Sequence, residues 1–350
     1  MFILDAHCDA PSQMLRLRDF SLDNHHAQVD FPKMKRGGVY ASFFACYVPC
    51  DKPDPLEYAR SLMDVTKRQV ASNTGVVALA RSSSEIKENY DNGLISIILA
   101  LENGAPIGNS FEILHELYDE GVRYVTLTHS KDNRICDSCS GSGTWGGLSP
   151  FGKELVREMN RIGMLIDLAH CSNDTVRDVL RITNQPVAFT HGSCSALCNH
   201  RRNLPDELLR GIAETGGVVG ISLYPSFISS EFDKVLKDSG LESKSWIEDK
   251  FISDPSNADY RKAWESLQDE LAALPRPGVG TYADHLEHAI EICGVEHVGI
   301  GTDYDGIEVT PRGMETIESL PLVFGELSGR GYSDRELSLI ASDNYLRLLP

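Results

Sequence analysis

Eight short segments rich in apolar and β-branched residues recur along the chain, at 2–6, 39–47, 94–101, 123–128, 164–168, 186–190, 218–223 and 297–302. Between them run stretches of helical periodicity at 55–72, 110–120, 150–162, 173–182, 205–214 and 282–293, and a last one at 333–346 closes the sequence. Strand-like runs that alternate with helices indicate βα units and a parallel sheet. Eight such units predict an α/β fold of the closed (β/α)8 type, a TIM barrel, because doubly wound sheets more often stop at about five to seven strands. No GxGxxG follows the first segment, which weakens the dinucleotide-binding alternative. The length of 350 residues would suit two domains of about 150 residues each, but one barrel of about 250 residues plus additions uses it equally well. The prediction is therefore a single domain over 1–350.

One stretch breaks the repeat. Residues 225–280 carry acidic and aromatic residues and a helical pattern at 259–274, between the seventh strand and its returning helix. The expectation is a rim or lid insertion within the barrel, with a solvated decoration as the alternative of equal weight.

Composition excludes several partners. Lys+Arg number 33 and Asp+Glu 51, a net charge of −18. Such a surface repels phosphate backbones and anionic headgroups, so neither nucleic acid nor membrane is an expected partner. The longest apolar stretches, such as 94–101, fall far short of the ~18 residues that span a bilayer. No basic region and apolar run follow Met1, so a signal peptide is not expected. Nine cysteines, an odd number with Cys46 and Cys293 inside apolar runs, suit reduced thiols and a cytoplasmic location. Cys136 and Cys139 form a lone CxxC, read as two loop thiols with a redox or metal site as the minor alternative.

The polar residues are placed informatively. The first segment runs into Asp5-Ala-His7-Cys-Asp9, the third ends at Glu102, the fourth at His129, the fifth at His170, the sixth at His191, and the eighth at Asp303 and Asp305. In a βα barrel these strand ends converge on the rim where active sites are built. A His-x-Asp pair alone says little. In extended chain, however, His7 and Asp9 would point the same way, and Glu102, His170 and His191 share their rim. Five nitrogen and oxygen ligands exceed the needs of one open tetrahedral zinc and suit two divalent ions with a bridging carboxylate and hydroxide, hence hydrolysis. Asp303 could move a proton to the leaving amine, and His129 could stabilise the oxyanion. Arg201 and Arg202 could fork onto a substrate carboxylate; position alone does not choose between them. His200 is not expected to ligate. Asp284, His285 and His288, spaced along one helix, are read as hydrogen-bonding groups before a separate metal site.

The segments 5–9 (DAHCD), 101–104 (LENG), 127–130 (LTHS), 146–170, 190–193 (THGS), 201–205 (RRNLP) and 299–306 (GIGTDYDG) resemble, in order, those of the membrane (renal) dipeptidase family, the M19 group of zinc dipeptidases among the amidohydrolase-like barrels. The resemblance spans nearly the whole chain. It implies two zinc ions per chain, one on His7 and Asp9, the other on His170 and His191, with Glu102 bridging. It implies that His129 binds the substrate carbonyl and tetrahedral intermediate, that Arg202 holds the C-terminal carboxylate and that Asp303 shuttles the proton. The implied substrates are dipeptides, including those with a C-terminal D-residue, and a homodimer is implied by analogy. Ser130 and Gly192 depart from the family pattern, which often has Asn at the first position and a polar side chain at the second. A bacterial-type soluble member is the expectation. The rival readings are another metal-dependent amidohydrolase acting on a cyclic amide, lactone or β-lactam, and a catalytically silent metal- or peptide-binding protein.

Overall fold

The computed structural model describes residues 1–25, 27–244 and 246–350. Nine strands form among them: β1 (Ile3–Cys8), β2 (Val39–Tyr47), β3 (Val77–Leu79), β4 (Ile95–Glu102), β5 (Val122–Thr126), β6 (Leu165–Asp167), β7 (Ala188–Gly192), β8 (Val218–Ile221) and β9 (Val298–Ile300). Eight of them pair in parallel in the order β1-β2-β4-β5-β6-β7-β8-β9. Main-chain bonds at 3.0 Å from Asp303 N to His7 O and at 2.9 Å from Asp9 N to Tyr304 O bring β9 back to β1. The result is the expected (β/α)8 barrel.

β3 was not expected. It is a three-residue strand that pairs only with the start of β4, from Val77↔Ile95 to Leu79↔Ile97, on the edge that β5 occupies from Leu99 onward. So short a run, with no alternation to read, leaves little periodic signal in the sequence.

Strand parity sorts the core into two layers. Leu4 and Ala6, Ala41 and Phe43, Ile98 and Ala100, with Tyr124, Leu165, Ala188 and Val218, form the barrel interior. Phe44, Cys46, Ile95, Ile97, Leu99 and Leu101 face the helices instead. Successive residues of a strand point to opposite faces, so Glu102, two beyond Ala100, falls on the inward side at the top of the barrel. The base is filled by Tyr345, part of the same interior cluster. A Cβ on Gly299 would lie 2.4 Å from the Tyr345 ring, so only glycine admits that ring at this point of β9.

Helix starts follow local capping chemistry. Asp54, Ser110, Ser149 and Ser172 each accept a hydrogen bond from a first-turn N–H, and Pro55 and Pro150 occupy first helical positions, where a missing N–H is harmless. The 225–280 stretch, apart from Ser245, which lies outside the described residues, is helical: Pro225–Ile228, Ser230–Ser239, Trp246–Ser253 and Ala258–Ala272 precede the returning helix Val279–Cys293. Phe232, Leu236, Leu241, Leu267 and Leu271 give it a small apolar cluster that also takes in Val309. No helix among the described residues is long and apolar enough to cross a membrane.

Candidate active site

The C-terminal ends of the strands surround a cavity of about 500 Å3 lined by Asp9, Glu102, His129, His170, Arg202 and Asp303 among others. Glu102, the last residue of β4, lies at its floor. Its Oε2 is 3.5 Å from His7 Nε2, and its Oε1 is 3.0 Å from His170 Nε2 and 3.5 Å from His191 Nε2. His170 Nε2 and His191 Nε2 stand 3.0 Å apart. Asp9 Oδ2 is 3.6 Å from His7 Nε2. Ligand atoms held about 2.0–2.2 Å from a tetrahedral zinc lie about 3.3–3.6 Å from each other, so these separations fit atoms gathered around cations.

Two details of the donor set strengthen the fit. His7 Nε2 and Asp9 Oδ1 are buried without a hydrogen-bond partner, a costly state for polar atoms unless something coordinates them. The other nitrogens of two rings are already engaged. His7 Nδ1 is 2.7 Å from the Tyr124 hydroxyl. The Thr190 hydroxyl donates to Asp167 Oδ2 at 2.9 Å and so accepts from His191 Nδ1, also at 2.9 Å. Asp167 is fixed in turn by the Thr126 hydroxyl at 2.5 Å and by the Thr190 and Ala169 amides. Such outer contacts hold the two rings with Nε2 turned toward Glu102.

Charge crowding points the same way. Burial opposes ionisation of Glu102, but His7 and bonds from His170 and His191 hold its carboxyl well below the ordinary range. Burial and the charge of Glu102 push Asp9 up to about 6. Burial, with Asp9 and Glu102 nearby, holds Asp303 well above the usual carboxylate range despite the attraction of His7. Burial keeps His129, His170 and His191 below the usual imidazole range. Despite burial, Glu102 and Asp9 hold His7 well above the usual imidazole range, so the cluster of acidic groups favours positive charge at its centre.

Backbone detail sets several of these groups. His7 ends within β1, but Asp9 lies past the strand at φ −86°, ψ 23°. The chain turns after Asp9, and its carboxylate stands beside the His7 imidazole, with Oδ2 3.6 Å from Nε2. His170 and Asp303, each three residues beyond its strand, adopt φ of 64° and 66°, an uncommon left-handed conformation for a side-chain-bearing residue. Gly306 makes room for both carboxylates, since a Cβ there would stand 2.1 Å from Asp9 Oδ2 and 2.6 Å from Asp303 Oδ1.

The remaining sequence candidates separate clearly. Arg202 is buried and Arg201 exposed. Arg202 Nη2 donates to His191 O at 2.9 Å, its guanidinium lies 5.2 Å from the Phe227 ring centre, and Nη1 is buried without a partner. His129 Nε2 is 3.7 Å from Glu102 Oε1, its ring lies 4.6 Å from that of Tyr47, and its Nδ1 is unpartnered. His129 thus falls within ligand reach of Glu102 and His170, and Asp303 within that of His7 and His191. His200 accepts from Arg202 N at 3.2 Å and stacks near Phe227. Asp305 pairs with Arg18 at 2.8 Å. Asp284 pairs with Arg330, His288 with Asp206, and His285 with Ser193 and Ile228 O, so these three do not converge. Cys136 and Cys139 are free thiols. Sequence reasoning passed over Tyr124, Thr190 and Asp167; a carboxylate inside the apolar run 164–168 was the one available signal, since such a group needs partners.

Comparison with known proteins follows the same line. The model of the membrane dipeptidase family, peptidase family M19, matches residues 1–350. An uncharacterized dipeptidase of Schizosaccharomyces pombe is 31% identical over 99% of this chain and 80% of its own length. A dipeptidase of Clonostachys rogersoniana is 32% identical over 92% of this chain and 75% of its own. A metallopeptidase of Rhodobacter sphaeroides, solved with a phosphinate mimic of the dipeptide L-Ala-D-Ala, superposes with a TM-score of 0.80 at 24% identity, covering 99% of this chain and 98% of the other. That last likeness is one of fold.

Proposed function

The chain belongs to the membrane dipeptidase family, peptidase family M19, and hydrolyses dipeptides; from this premise we propose that it works with two zinc ions, one on His7 and Asp9 and one on His170 and His191, bridged by Glu102. The observation that carries this reading is the gathering of the His7, His170 and His191 Nε2 atoms around the Glu102 carboxylate, with His7 Nε2 and Asp9 Oδ1 buried without a hydrogen-bond partner. When bound, two such ions lower the pKa of a water and polarise the scissile carbonyl.

The protein's own groups do the rest. Asp303, whose Oδ1 lies 3.9 Å from His7 Nε2, takes the proton released as the nucleophile adds and passes it to the departing amine. His129, kept neutral by burial, donates a hydrogen bond to the oxygen on which charge develops. Arg202 offers its free Nη1 to the substrate's C-terminal carboxylate while Nη2 stays anchored on His191 O. That anchor confines the carboxylate to one side of the metal-binding residues and favours two-residue substrates. The mimic bound by the Rhodobacter sphaeroides protein supports acceptance of a C-terminal D-residue here. The helices at 225–280 form a rim, because Phe227 and Glu248 line the cavity, and nine free thiols support a reducing, cytoplasmic setting.

The test is a panel of L-L and L-D dipeptides assayed before and after chelation, with zinc measured per chain. The expected result is close to two zinc per chain, cleavage of both stereochemical classes, and loss of activity on chelation that zinc restores. Full activity in a metal-free preparation would overturn the metal assignment, and cleavage of L-L peptides alone would overturn the D-residue assignment.

A further inference from the structure

The cavity above Glu102 does not end at the metal-binding residues. It continues past Asp303 to Glu308 and to Glu248, which the insertion helix Trp246–Ser253 contributes. The same two glutamates line a second cavity of about 180 Å3 whose walls include Leu236, Leu267 and Leu271. The two cavities therefore share an acidic junction, and the side cavity is apolar beyond it. That the main cavity receives a ligand is indicated independently by Arg202 Nη1 and Asp9 Oδ1, buried atoms without partners on residues lining it.

The charges around the junction are unevenly matched. Asp305 is neutralised by Arg18 at 2.8 Å, and Glu248 has Arg16 at 3.2 Å. The Glu308 side chain is exposed to the cleft, and the side chains whose charges bear on it, Glu248 and Glu242, are both acidic. A positively charged group placed at this junction would relieve that repulsion. An aliphatic stem ending in an ammonium would also use the leucine-lined wall, since lysine-like side chains bury the stem and keep the charge among polar groups.

Resting on the dipeptidase reading above, we propose that Glu308, with Glu248 beside it, selects dipeptides in which one residue carries a cationic aliphatic side chain. Neither glutamate touches the reacting atoms; they set which side chain is preferred.

The experiment compares kcat/KM for Lys-Ala, norleucine-Ala and Glu-Ala, and for the reversed sequences, in the zinc-loaded wild type, Glu308→Gln and Glu248→Gln. Norleucine keeps the stem and removes the charge. A hydrogen bond between charged groups is worth roughly ten-fold or more in affinity, so the lysine peptide should exceed its norleucine counterpart at least about ten-fold in one of the two orders. The glutamate peptide should be poorest. In Glu308→Gln the lysine-to-norleucine ratio should collapse toward one through a rise in KM for the lysine peptide, with a smaller change in Glu248→Gln. A wild-type ratio near one, or a ratio that survives Glu308→Gln, overturns the proposal while leaving hydrolysis intact. A uniform fall for all peptides in Glu308→Gln also overturns it, because Glu308 would then be reading the α-ammonium common to every dipeptide. If the wild type cleaves none of the peptides, the dipeptidase reading fails first and the proposal with it.

Discussion

The main-chain N–H of Asp303 donates to the carbonyl oxygen of His7 at 3.0 Å, so the hydrogen bond that closes the barrel also fixes the Asp303 carboxyl beside the His7 imidazole. The side chains are correspondingly close, with Asp303 Oδ1 3.9 Å from His7 Nε2. The position of Asp303 is thus set by backbone and by its left-handed φ of 66°, not by its carboxyl. Asp303→Asn should keep the fold and close to normal zinc content while lowering kcat by about 10²–10⁴-fold, the usual share of a positioned acid–base group. Metal analysis beside steady-state kinetics checks this; loss of zinc together with activity would instead make Asp303 a ligand.

Glu102 touches both halves of the proposed centre, with one oxygen toward His7 and the other toward His170 and His191. Glu102→Gln should leave fewer than two zinc per chain after dialysis, because a neutral amide cannot bridge two cations. Chelation of the wild type should lower its thermal midpoint, since ions that bind only the folded state stabilise it by mass action. Restoring zinc should return the midpoint. A midpoint indifferent to chelator would mean that these buried atoms hold no metal.

How much of this could be read from sequence depends on the range of the interaction that decides each feature. The eight barrel strands were legible because each is an apolar run bounded by turn residues and helix caps such as Ser149 and Ser172, all local signals. Glu102, His170, His191 and Asp303 were legible because parallel βα topology carries strand ends to one rim whatever the exact boundaries. β3 escaped because three residues leave no period. Tyr124 and Thr190 escaped for another reason: a hydroxyl inside a strand is unremarkable until a partner far away in sequence is brought to it, here His7 across 117 positions. The choice of Arg202 over Arg201 likewise rested on which side chain the loop buries.

Arg202 supplies a prediction that separates binding from chemistry. Its Nη2 is used structurally on His191 O, and Nη1 is buried without a partner. Arg202→Met should raise KM for dipeptides with a free C-terminus about ten- to a hundred-fold, the worth of one charge-assisted hydrogen bond, with a smaller effect on kcat. Dipeptide amides, which lack the carboxylate, should be poor substrates of the wild type and little changed in the variant. Equal losses for acids and amides would mean that Arg202 acts by holding His191 and not by reading the carboxylate.

His285, in the helix Val279–Cys293, links pH to stability. It is 1% exposed; its Nε2 lies 3.2 Å from Ile228 O, and the Ser193 hydroxyl is 2.5 Å from Nδ1. Since the carbonyl can only accept, Nε2 carries the proton and Nδ1 accepts from Ser193, which fixes a neutral ring. Burial depresses its pKa to about 4, whereas an unfolded histidine titrates near 6.5. Between those values the unfolded chain binds a proton that the folded one refuses, so the stabilising contribution of the neutral ring is complete above about pH 6.5 and is lost as pH falls toward 4, in total about 3 kcal/mol. Asp5, which burial raises to about 6, works in the opposite sense: its contribution is lost as pH rises through that value. The sum of the two in the wild type alone is therefore uninformative. Urea unfolding of wild type and His285→Gln at pH 4.5, 5.5 and 7 isolates the histidine: the variant should be the less stable at pH 7 and the gap should narrow steadily on acidification. A gap independent of pH would show that His285 titrates in the folded protein as it does when unfolded, and a gap that widens on acidification would show that it stays charged there.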